Sequence, residues 1–312
     1  MSNPKVSIII LNWNGFEVTM ECLDSLKKIK YPNYEIIVVD NASSGDDVKI
    51  LKEKYGDFIQ IIANDQNYGY PEGNNIGMRY AMEKGTDYLL LLNNDTVVDS
   101  EFATELVKVA ESDPSIGMTG SKIYYYDRPN MMQATGGRIH WWLGVIEVCA
   151  QDENDVGQYD NVTERDYLFG TSLLIKKSLI EKISFLDPYY FFGVEEYDYC
   201  TRAKQAGFRI IYVPKSKIWH KVGADSAKFP KYPDLQAKIK RISGIGKYKF
   251  YYRLYKDHGP TYLFVLPFVL QMSLVGELLL RLWRGDWKKI RSGLVRRLGN
   301  LFRASNKPRS PR

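Results

Sequence analysis

Three polar positions close apolar, strand-like runs in this chain: Asn12 after residues 6–11, Asp40 after residues 36–39, and Asp95 after residues 88–92 with Asn93 and Asn94 between. Continuous apolar runs separated by helix-patterned segments indicate a parallel sheet covered on both faces. In open sheets of that kind, ligands bind outside the carboxyl ends of the strands. Asn12, Asp40 and Asp95, far apart in sequence, are therefore expected to converge on one rim. A second group, Glu195-Glu196-Tyr197-Asp198, follows the aromatic stretch Phe191-Phe192-Gly193 and runs into a helix pattern. Adjacent carboxylates raise one another's pKa when both are partly buried, and one so held can take a proton from an attacking hydroxyl. His220, one of only 3 histidines, ends a short strand pattern directly after Trp219.

The elements that must position these groups are legible in outline. Residues 6–11, 36–39, 58–62 and 88–92 read as strands. Cys22, Leu23, Leu26 and Ile29 fall at helical spacing before Pro32, and residues 73–85 read as a second helix. From 116 to 219 the pattern is mixed: 167–175 reads as a strand, 191–200 as an aromatic loop entering a helix, and 210–214 as a short strand. There are no internal repeats, and low complexity is confined to the Arg/Ser/Pro terminus.

With 312 residues, 45% of them hydrophobic, the chain has enough apolar content for one large α/β domain and an appendage, which excludes a disordered chain. Its charge is divided: 18 Lys and Arg against 3 Asp and Glu from Lys238 onward, 25 against 34 before it. The basic part thus calls for a partner of its own, anionic lipid or nucleic acid. Residues 259–276 carry no charge, which is borderline for the roughly 20 residues that span a bilayer. Trp283, Trp287, Ile290, Leu294, Leu298 and Leu301 then recur at helical spacing, with Lys288, Lys289, Arg296 and Arg297 mostly on other faces. A basic amphipathic helix with tryptophans is the pattern of an interfacial anchor, and it fits lipid better than nucleic acid. The start, Met1-Ser2-Asn3-Pro4-Lys5, lacks the pattern of a secretory signal. Cys22, Cys149 and Cys200 are scattered without metal-type spacing, as expected of reduced thiols in a cytosolic compartment.

Five blocks in this order, covering roughly residues 5–225, resemble family 2 glycosyltransferases of the GT-A fold, and among them the bacterial rhamnosyltransferase-like group. They are Ile9-Ile10-Leu11-Asn12-Trp13-Asn14-Gly15, Val38-Val39-Asp40-Asn41-Ala42-Ser43, Asn67-Tyr68-Gly69-Tyr70-Pro71-Glu72-Gly73-Asn74-Asn75-Ile76-Gly77, Leu91-Leu92-Asn93-Asn94-Asp95-Thr96 and Glu195-Glu196-Tyr197-Asp198-Tyr199-Cys200. The resemblance implies a Rossmann-like α/β domain over residues 1–240, with a mostly parallel central sheet and helices on both faces. Residues 241–312 then form the basic, helical, membrane-associating segment.

The resemblance also implies roles. Asp40 recognises the donor nucleoside, with a turn or helix-cap role as the alternative. Asn67 and Gly69 form a turn at which the backbone approaches the donor diphosphate, and Asn12, Asn14, Asn74 and Asn94 complete the nucleotide site. Asp95, with Asn93 where relatives carry a first Asp, and His220 hold a divalent ion, Mg2+ or Mn2+, that offsets charge on the leaving diphosphate. The pair Glu195 and Glu196 supplies the base; alignment favours Glu196, where relatives usually have Asp. Gly170 and Thr171 shape a sugar pocket, Asp198 holds the acceptor or caps its helix, and Trp142 stacks on a sugar or fills core. Arg202, four residues after Asp198, is expected to form an intrahelical pair with it.

The implied reaction is inverting transfer of a sugar, L-rhamnose from dTDP-rhamnose first among donors and a UDP-sugar next, to a hydroxyl of a lipid-linked or cell-surface glycan. Transfer to a polyprenyl phosphate is the alternative within enzymes, and a non-catalytic nucleotide- or glycan-binding module the alternative of another class. The expected setting is the cytoplasmic side of the cell membrane, peripheral or shallowly inserted through the C-terminus, with no nucleic-acid partner and the oligomeric state open.

Overall fold

The computed structural model describes residues 3–140, 145–222, 249–250 and 252–253. Trp142 and nearly all of the basic tail lie outside the described residues. The chain divides into one compact unit of residues 1–138 and 147–254 and a second of residues 139–146 and 255–312. Among the described residues no helix is long and apolar enough to cross a membrane.

The first half alternates strand and helix: β1 (Val6–Asn12), α1 (Phe16–Leu26), β2 (Tyr34–Asp40), α2 (Asp47–Tyr55), β3 (Gln60–Ala63), α3 (Gly69–Glu83) and β4 (Tyr88–Asn93). β5 (Thr96–Val98), α4 (Phe102–Glu111), β6 (Ile116–Tyr125) and β7 (Met131–Ala134) follow. Next come β8 (Gly137–His140), β9 (Val145–Val148), β10 (Glu153–Asn154), β11 (Thr163–Glu164) and β12 (Ser172–Lys176). The sequence closes with α5 (Lys177–Ile183), a 3-10 turn (Pro188–Tyr190), α6 (Glu195–Gln205) and β13 (Arg209–His220).

β3, β2, β1 and β4 lie side by side and parallel, as the apolar runs predict. The expectation of a mostly parallel sheet fails beyond β4. There β12 inserts antiparallel between β4 and β6, so the central sheet is mixed. An apolar run such as Leu173-Leu174-Ile175 shows that a strand is buried on both faces but not which way it points. The strand expected at 167–175 is confined to Ser172–Lys176. Residues 210–214 are part of a longer β13, which pairs parallel with β6 and antiparallel with β5 and shifts register between Val213 and Lys217. Pro214, with no N–H to give the ladder, accounts for a break there.

Both faces of β1 are covered. Ile8 and Ile10 join the core cluster with Leu23 and Leu26 of α1, Leu51 of α2 and Phe102 and Leu106 of α4. Ile9 and Leu11 face α3, where the side-chain-free positions Gly73 and Gly77 let the helix approach; a Cβ at Gly77 would lie 2.8 Å from Ile9 Cγ2.

Gly69, at the start of α3, has φ +82, and a Cβ there would sit 2.5 Å from the Phe191 carbonyl oxygen. Two penalties therefore meet at this residue: left-handed backbone, about 1–2 kcal/mol for a residue with a side chain, and a collision with rigid backbone, about 1–3 kcal/mol. Gly85 shares the backbone conformation (φ +76) with nothing within 4 Å of its Cβ position. In urea unfolding, Gly69→Ala is expected to destabilise by more than Gly85→Ala, by an amount in the overpacking range. Equal losses would mean that α3 and residue 191 do not touch as described.

Candidate active site

The register that pairs Asn12 with Asp40 places both at the carboxyl ends of β1 and β2, as the sequence predicts. Both turn inward. Asn12 Nδ2 donates to Asp40 Oδ1 (2.7 Å), Asp47 Oδ2 (3.1 Å) and Ser43 Oγ (3.2 Å), while its Oδ1 accepts from Thr19 Oγ1 (2.7 Å). Asp40, 2% exposed, also accepts from the Ser43 hydroxyl (2.6 Å) and backbone N–H (2.9 Å). Asn14, at φ 51, accepts from the Ser44 N–H (2.7 Å) and hydroxyl (3.1 Å). Asp47 accepts from the N–H groups of Gly15 (2.9 Å) and Phe16 (3.0 Å), satisfying free donors at the start of α1 from a different helix. Its partners are all remote in sequence, so nothing in Asp46-Asp47 signalled this role.

Asn41, next to Asp40, organises the following turn. Its Nδ2 donates to Asn67 Oδ1 (3.0 Å) and the Gly69 carbonyl (3.2 Å), and its Oδ1 accepts from Asn64 Nδ2 (3.1 Å) and the Tyr68 N–H (3.1 Å). Asn67 Oδ1 accepts in addition from the Gly69 N–H (2.8 Å). Asn74 donates to the Tyr70 carbonyl one turn back (2.8 Å). Asn75 both donates to the Leu186 carbonyl (2.9 Å) and accepts its N–H (3.1 Å). The amide-rich block thus fastens the turn after β3 to its neighbours, with Asn41 and Asn75 the clamps that sequence reading quoted without assigning.

At the end of β4, Asn94 is buried, donating to Thr19 Oγ1 (3.0 Å). Asp95 meets His220: Oδ1 lies 3.0 Å from Nε2, and Nδ1 is 2.8 Å from Gln133 Oε1. This contact between residues 125 positions apart follows from β13, which pairs His220 with Thr96 of β5. Asn93 donates its N–H to the Thr171 carbonyl (3.1 Å), bringing the end of β4 against the start of β12.

The acidic pair opens α6. Val194, just before it, has φ +78 and gives no side-chain cap hydrogen bond; left-handed backbone is costly for a β-branched residue and marks a strained site. Glu195 Oε2 and Glu196 Oε2 are both buried without a hydrogen-bond partner. Burial raises the Glu195 carboxyl well above the usual carboxylate range, and the charge of Glu196 beside it raises it further. Burial also raises Glu196, while its backbone N–H and the Glu195 carboxyl hold it down. Both carboxyls are raised, so the pair as a unit holds a proton above the usual carboxylate range.

Tyr70 lies within electrostatic reach of this pair and touches the end of β4. Its hydroxyl lies 3.0 Å from the Gly170 carbonyl and 3.3 Å from Asn93 Oδ1, with its one proton to donate to either. Burial, and beyond it the acidic surroundings formed by the Glu195–Glu196 pair and Asp95, raise its pKa, so it stays a neutral O–H donor. Tyr70 was within a quoted block but unassigned; a tyrosine among glycines and amides carries no local sign of what its ring reaches. Gly170 and Thr171 are brought into this group. Asp198, expected to hold the acceptor or cap its helix, accepts from Tyr190 Oη (2.9 Å), from Arg202 Nε (2.9 Å), as the helical spacing predicts, and from Arg253 Nη1 at both oxygens (2.7 and 2.8 Å).

One rim thus carries a carboxylate–imidazole pair, a buried two-carboxylate acid–base group and a neutral hydroxyl between them. Residues 7–168, just over half of the chain, match the family model for glycosyl transferase family 2. The chain belongs to glycosyl transferase family 2. This family 2 glycosyltransferase is 25% identical over 227 residues to the low-salt glycan biosynthesis hexosyltransferase Agl10 of Haloferax volcanii, covering 72% of this chain and 69% of the relative. It is 22% identical to the dTDP-rhamnosyl transferase RfbF of Shigella flexneri, over 72% of each chain. With the rhamnosyltransferase WbbL of Escherichia coli it shares 25% identity, over 72% of this chain and 86% of the relative.

Among solved structures, that of GalNAc-T7 with UDP, GalNAc and Mn2+ is similar at TM-score 0.58 and 18% identity, over 70% of this chain and 44% of that one. The mannosyltransferase PcManGT from Pyrobaculum calidifontis in complex with GDP-Man and Mn2+ gives TM-score 0.56 at 14% identity, over 95% and 86%. S. aureus TarS, residues 1–349, gives 0.51 at 16% identity, over 70% and 61%. At these identities the likeness is one of fold, and the family 2 glycosyltransferase has the GT-A α/β fold with a mixed central sheet.

The acidic pair makes a spectroscopic prediction. At pH 7, well above the ordinary Glu pKa of about 4.3, infrared spectroscopy of the folded enzyme should show a protonated carboxyl stretch that Glu195→Gln removes. An unchanged carboxyl band in that variant would assign the proton elsewhere.

Proposed function

We propose that this glycosyltransferase is an inverting, metal-assisted enzyme that moves a sugar, L-rhamnose from dTDP-rhamnose first among donors, to a hydroxyl of a lipid-linked or cell-surface glycan. The observation that carries the reading is the buried Glu195–Glu196 pair, both carboxyls raised, within electrostatic reach of Tyr70, whose hydroxyl meets Asn93 at the end of β4. The donor follows the similarity to RfbF and WbbL, whose names specify rhamnosyl transfer.

In this reading the acceptor hydroxyl attacks the anomeric carbon from the side opposite the leaving group. Glu196 takes the hydroxyl proton as the new C–O bond forms, the old C–O bond breaks, and the nucleoside diphosphate leaves with the bonding electrons. Glu195, protonated, donates to Glu196 and keeps it oriented. Tyr70, neutral, holds Asn93 and the Gly170 carbonyl at fixed separation. The sugar pocket is walled by Gly170 and Thr171, and the nucleoside lies toward Asp40, Asn67 and Gly69 on a rim stiffened by Asn12, Asn14, Asn74 and Asn94. A base supports a hydroxyl acceptor over a phosphate, which is already a nucleophile.

A divalent ion, Mg2+ or Mn2+, fits the residues present. Ions that sit on substrate phosphates need one or two protein carboxylates rather than a full cage, and among the described residues no group of three or more His, Cys, Asp or Glu is assembled to hold one. Asp95 and His220 would hold the ion, Gln133 fixing the ring by accepting from Nδ1–H, with Asn93 supporting a bound water. An ion held there would supply positive charge to offset that on the departing diphosphate. UDP, GDP-Man and Mn2+ in the similar structures support this choice.

We further propose that the enzyme works at the cytoplasmic face of a membrane, residues 1–240 acting as the catalytic domain and 241–312 as a peripheral or shallowly inserted anchor. The excess of 18 basic over 3 acidic residues from Lys238 onward supports this. The full-length protein should bind vesicles containing anionic lipid and not neutral ones, and replacing Lys288, Lys289, Arg296 and Arg297 by Gln should weaken that binding. Equal binding to both vesicle types would refute the anchor.

The catalytic reading is tested by calorimetric titration with dTDP and with UDP, each with and without Mn2+. Metal-dependent binding, lost in Asp95→Ala, is the expected result; binding indifferent to both metal and Asp95 would overturn the donor assignment. Glu196→Gln should then lower turnover by roughly 10²–10⁴-fold, and Glu195→Gln by far less, because an amide also donates. The reverse ranking would exchange the two roles.

A further inference from the structure

The first turn of α6 is an awkward piece of structure to hold still. It begins at Val194 with φ +78, three residues after Phe191 with φ 56. It has no side-chain cap hydrogen bond, and it carries Glu195, Glu196 and Asp198 together. Negative charge suits a helix N-terminus, but here two carboxyls are also buried with an oxygen each left unpartnered. The contacts within the turn are to its own backbone and between the two glutamates, so the turn as a whole still has to be anchored from outside.

The fixing group comes from a distant part of the chain. Arg253 Nη1 donates to both oxygens of Asp198 (2.7 and 2.8 Å), and its Nη2 donates to Asp187 Oδ2 (2.7 Å). Asp187 and Asp198 lie on either side of the strained stretch, so one guanidinium ties its two ends together. Lys249 adds a second cation at Asp187 Oδ2 (2.6 Å), and Phe250, 1% exposed, puts its ring 6.2 Å from that of Tyr197, the residue between Glu196 and Asp198. Tyr197 is in turn held edge-on by Tyr167 at 4.5 Å. Although burial acts to raise it, Asp187 is kept below the usual carboxylate range by Lys249 and Arg253, so the carboxylate that Arg253 grips is charged.

We propose that Arg253 is a positioning residue for the base: by bridging Asp187 and Asp198 it fixes the first turn of α6 and with it the placement of Glu196. The proposal rests on Glu196 being the base. A planar fork can engage two carboxylates in one geometry, which a lysine ammonium, a point charge on a flexible stem, does not reproduce. The ion pairs of Arg253 are to Asp187 and Asp198 and not to the nucleotide-side rim of Asp40, Asn67 and Asp95. Losing it should therefore damage turnover and leave donor binding alone.

The test uses the full-length enzyme with Arg253→Gln and Arg253→Lys. Two quantities are read: affinity for dTDP or UDP, whichever the wild type binds, and the rate of nucleotide release from the corresponding sugar donor. For Arg253→Gln the expected result is nucleotide affinity within about 2-fold of wild type, and kcat lower by on the order of 10- to 100-fold, the cost of misplacing a reacting group by about 1 Å. Arg253→Lys should fall between. If Arg253→Gln does not accumulate as folded protein, the lysine variant carries the same test with a smaller loss. Unchanged kcat would overturn the proposal, as would parallel loss of affinity and turnover, which marks general damage. A wild-type chain that releases nucleotide from no dTDP- or UDP-sugar overturns the functional reading as well; active wild type beside an equally active Arg253→Gln overturns this inference alone.

Discussion

Two carboxyl groups adjacent in the chain and shielded from water cannot both be charged, and much of the site is arranged around that constraint. Desolvation penalises the first negative charge, and the first charge penalises the second. Both carboxyls are raised, and the pair holds a proton where a lone exposed carboxyl would have lost it. Tyr70, feeling both glutamates and Asp95, remains a neutral hydroxyl. The nearby aspartates are given cations of their own: Asp198 has Arg202 and Arg253, and Asp187 has Lys249 and Arg253. A glycosyl transfer that inverts at carbon needs a single proton acceptor at a defined place, and a lone ionisable group inside a neutralised surround is one way to build it.

On the nucleotide side the solution is different. The rim there is assembled from amides and hydroxyls bonded to one another, Asn12, Ser43, Asn41 and Asn67 among them. Such networks are costly when partly satisfied and stiffening when complete. The side chains of this rim also hold backbone groups and loop ends in register. Stiffness here suits the proposed donor site: a loop already ordered loses little further freedom when a flexible ligand settles against it.

The sequence is most legible where local pattern and tertiary role coincide. Apolar runs ending in Asn12, Asp40 and Asp95 fix the parallel half of the sheet and its rim, because a strand buried on both faces leaves an unmistakable composition. The meeting of Asp95 and His220 is likewise foreshadowed by the family resemblance of their surroundings. Direction and distance are less visible. Nothing in residues 172–176 says that β12 runs antiparallel, and nothing near Asp47, Tyr70 or Arg253 names partners 31, 100 or 66 residues away. Those contacts are made by side chains of ordinary type at ordinary spacing, and only the assembled fold gives them meaning.

The register shift in β13 has a consequence for the facing of the residues beyond it. Before the break Val213 lies opposite Ser121, and after it Lys217 lies opposite Lys122, so residues 214–216 are extra to the ladder. Val213 and Lys217 are four apart on their own strand, yet they sit opposite adjacent β6 residues, which face opposite ways, so the extra residues interrupt the usual alternation of period 2. Beyond them the ladder sets the facing afresh: His220 shares the faces of Tyr125 and Thr96, the residues it is paired with. The three extra residues are thus slack between two strands of unequal count, and the facing of the histidine beyond them is owed to its partners across the sheet rather than to its distance from the turn.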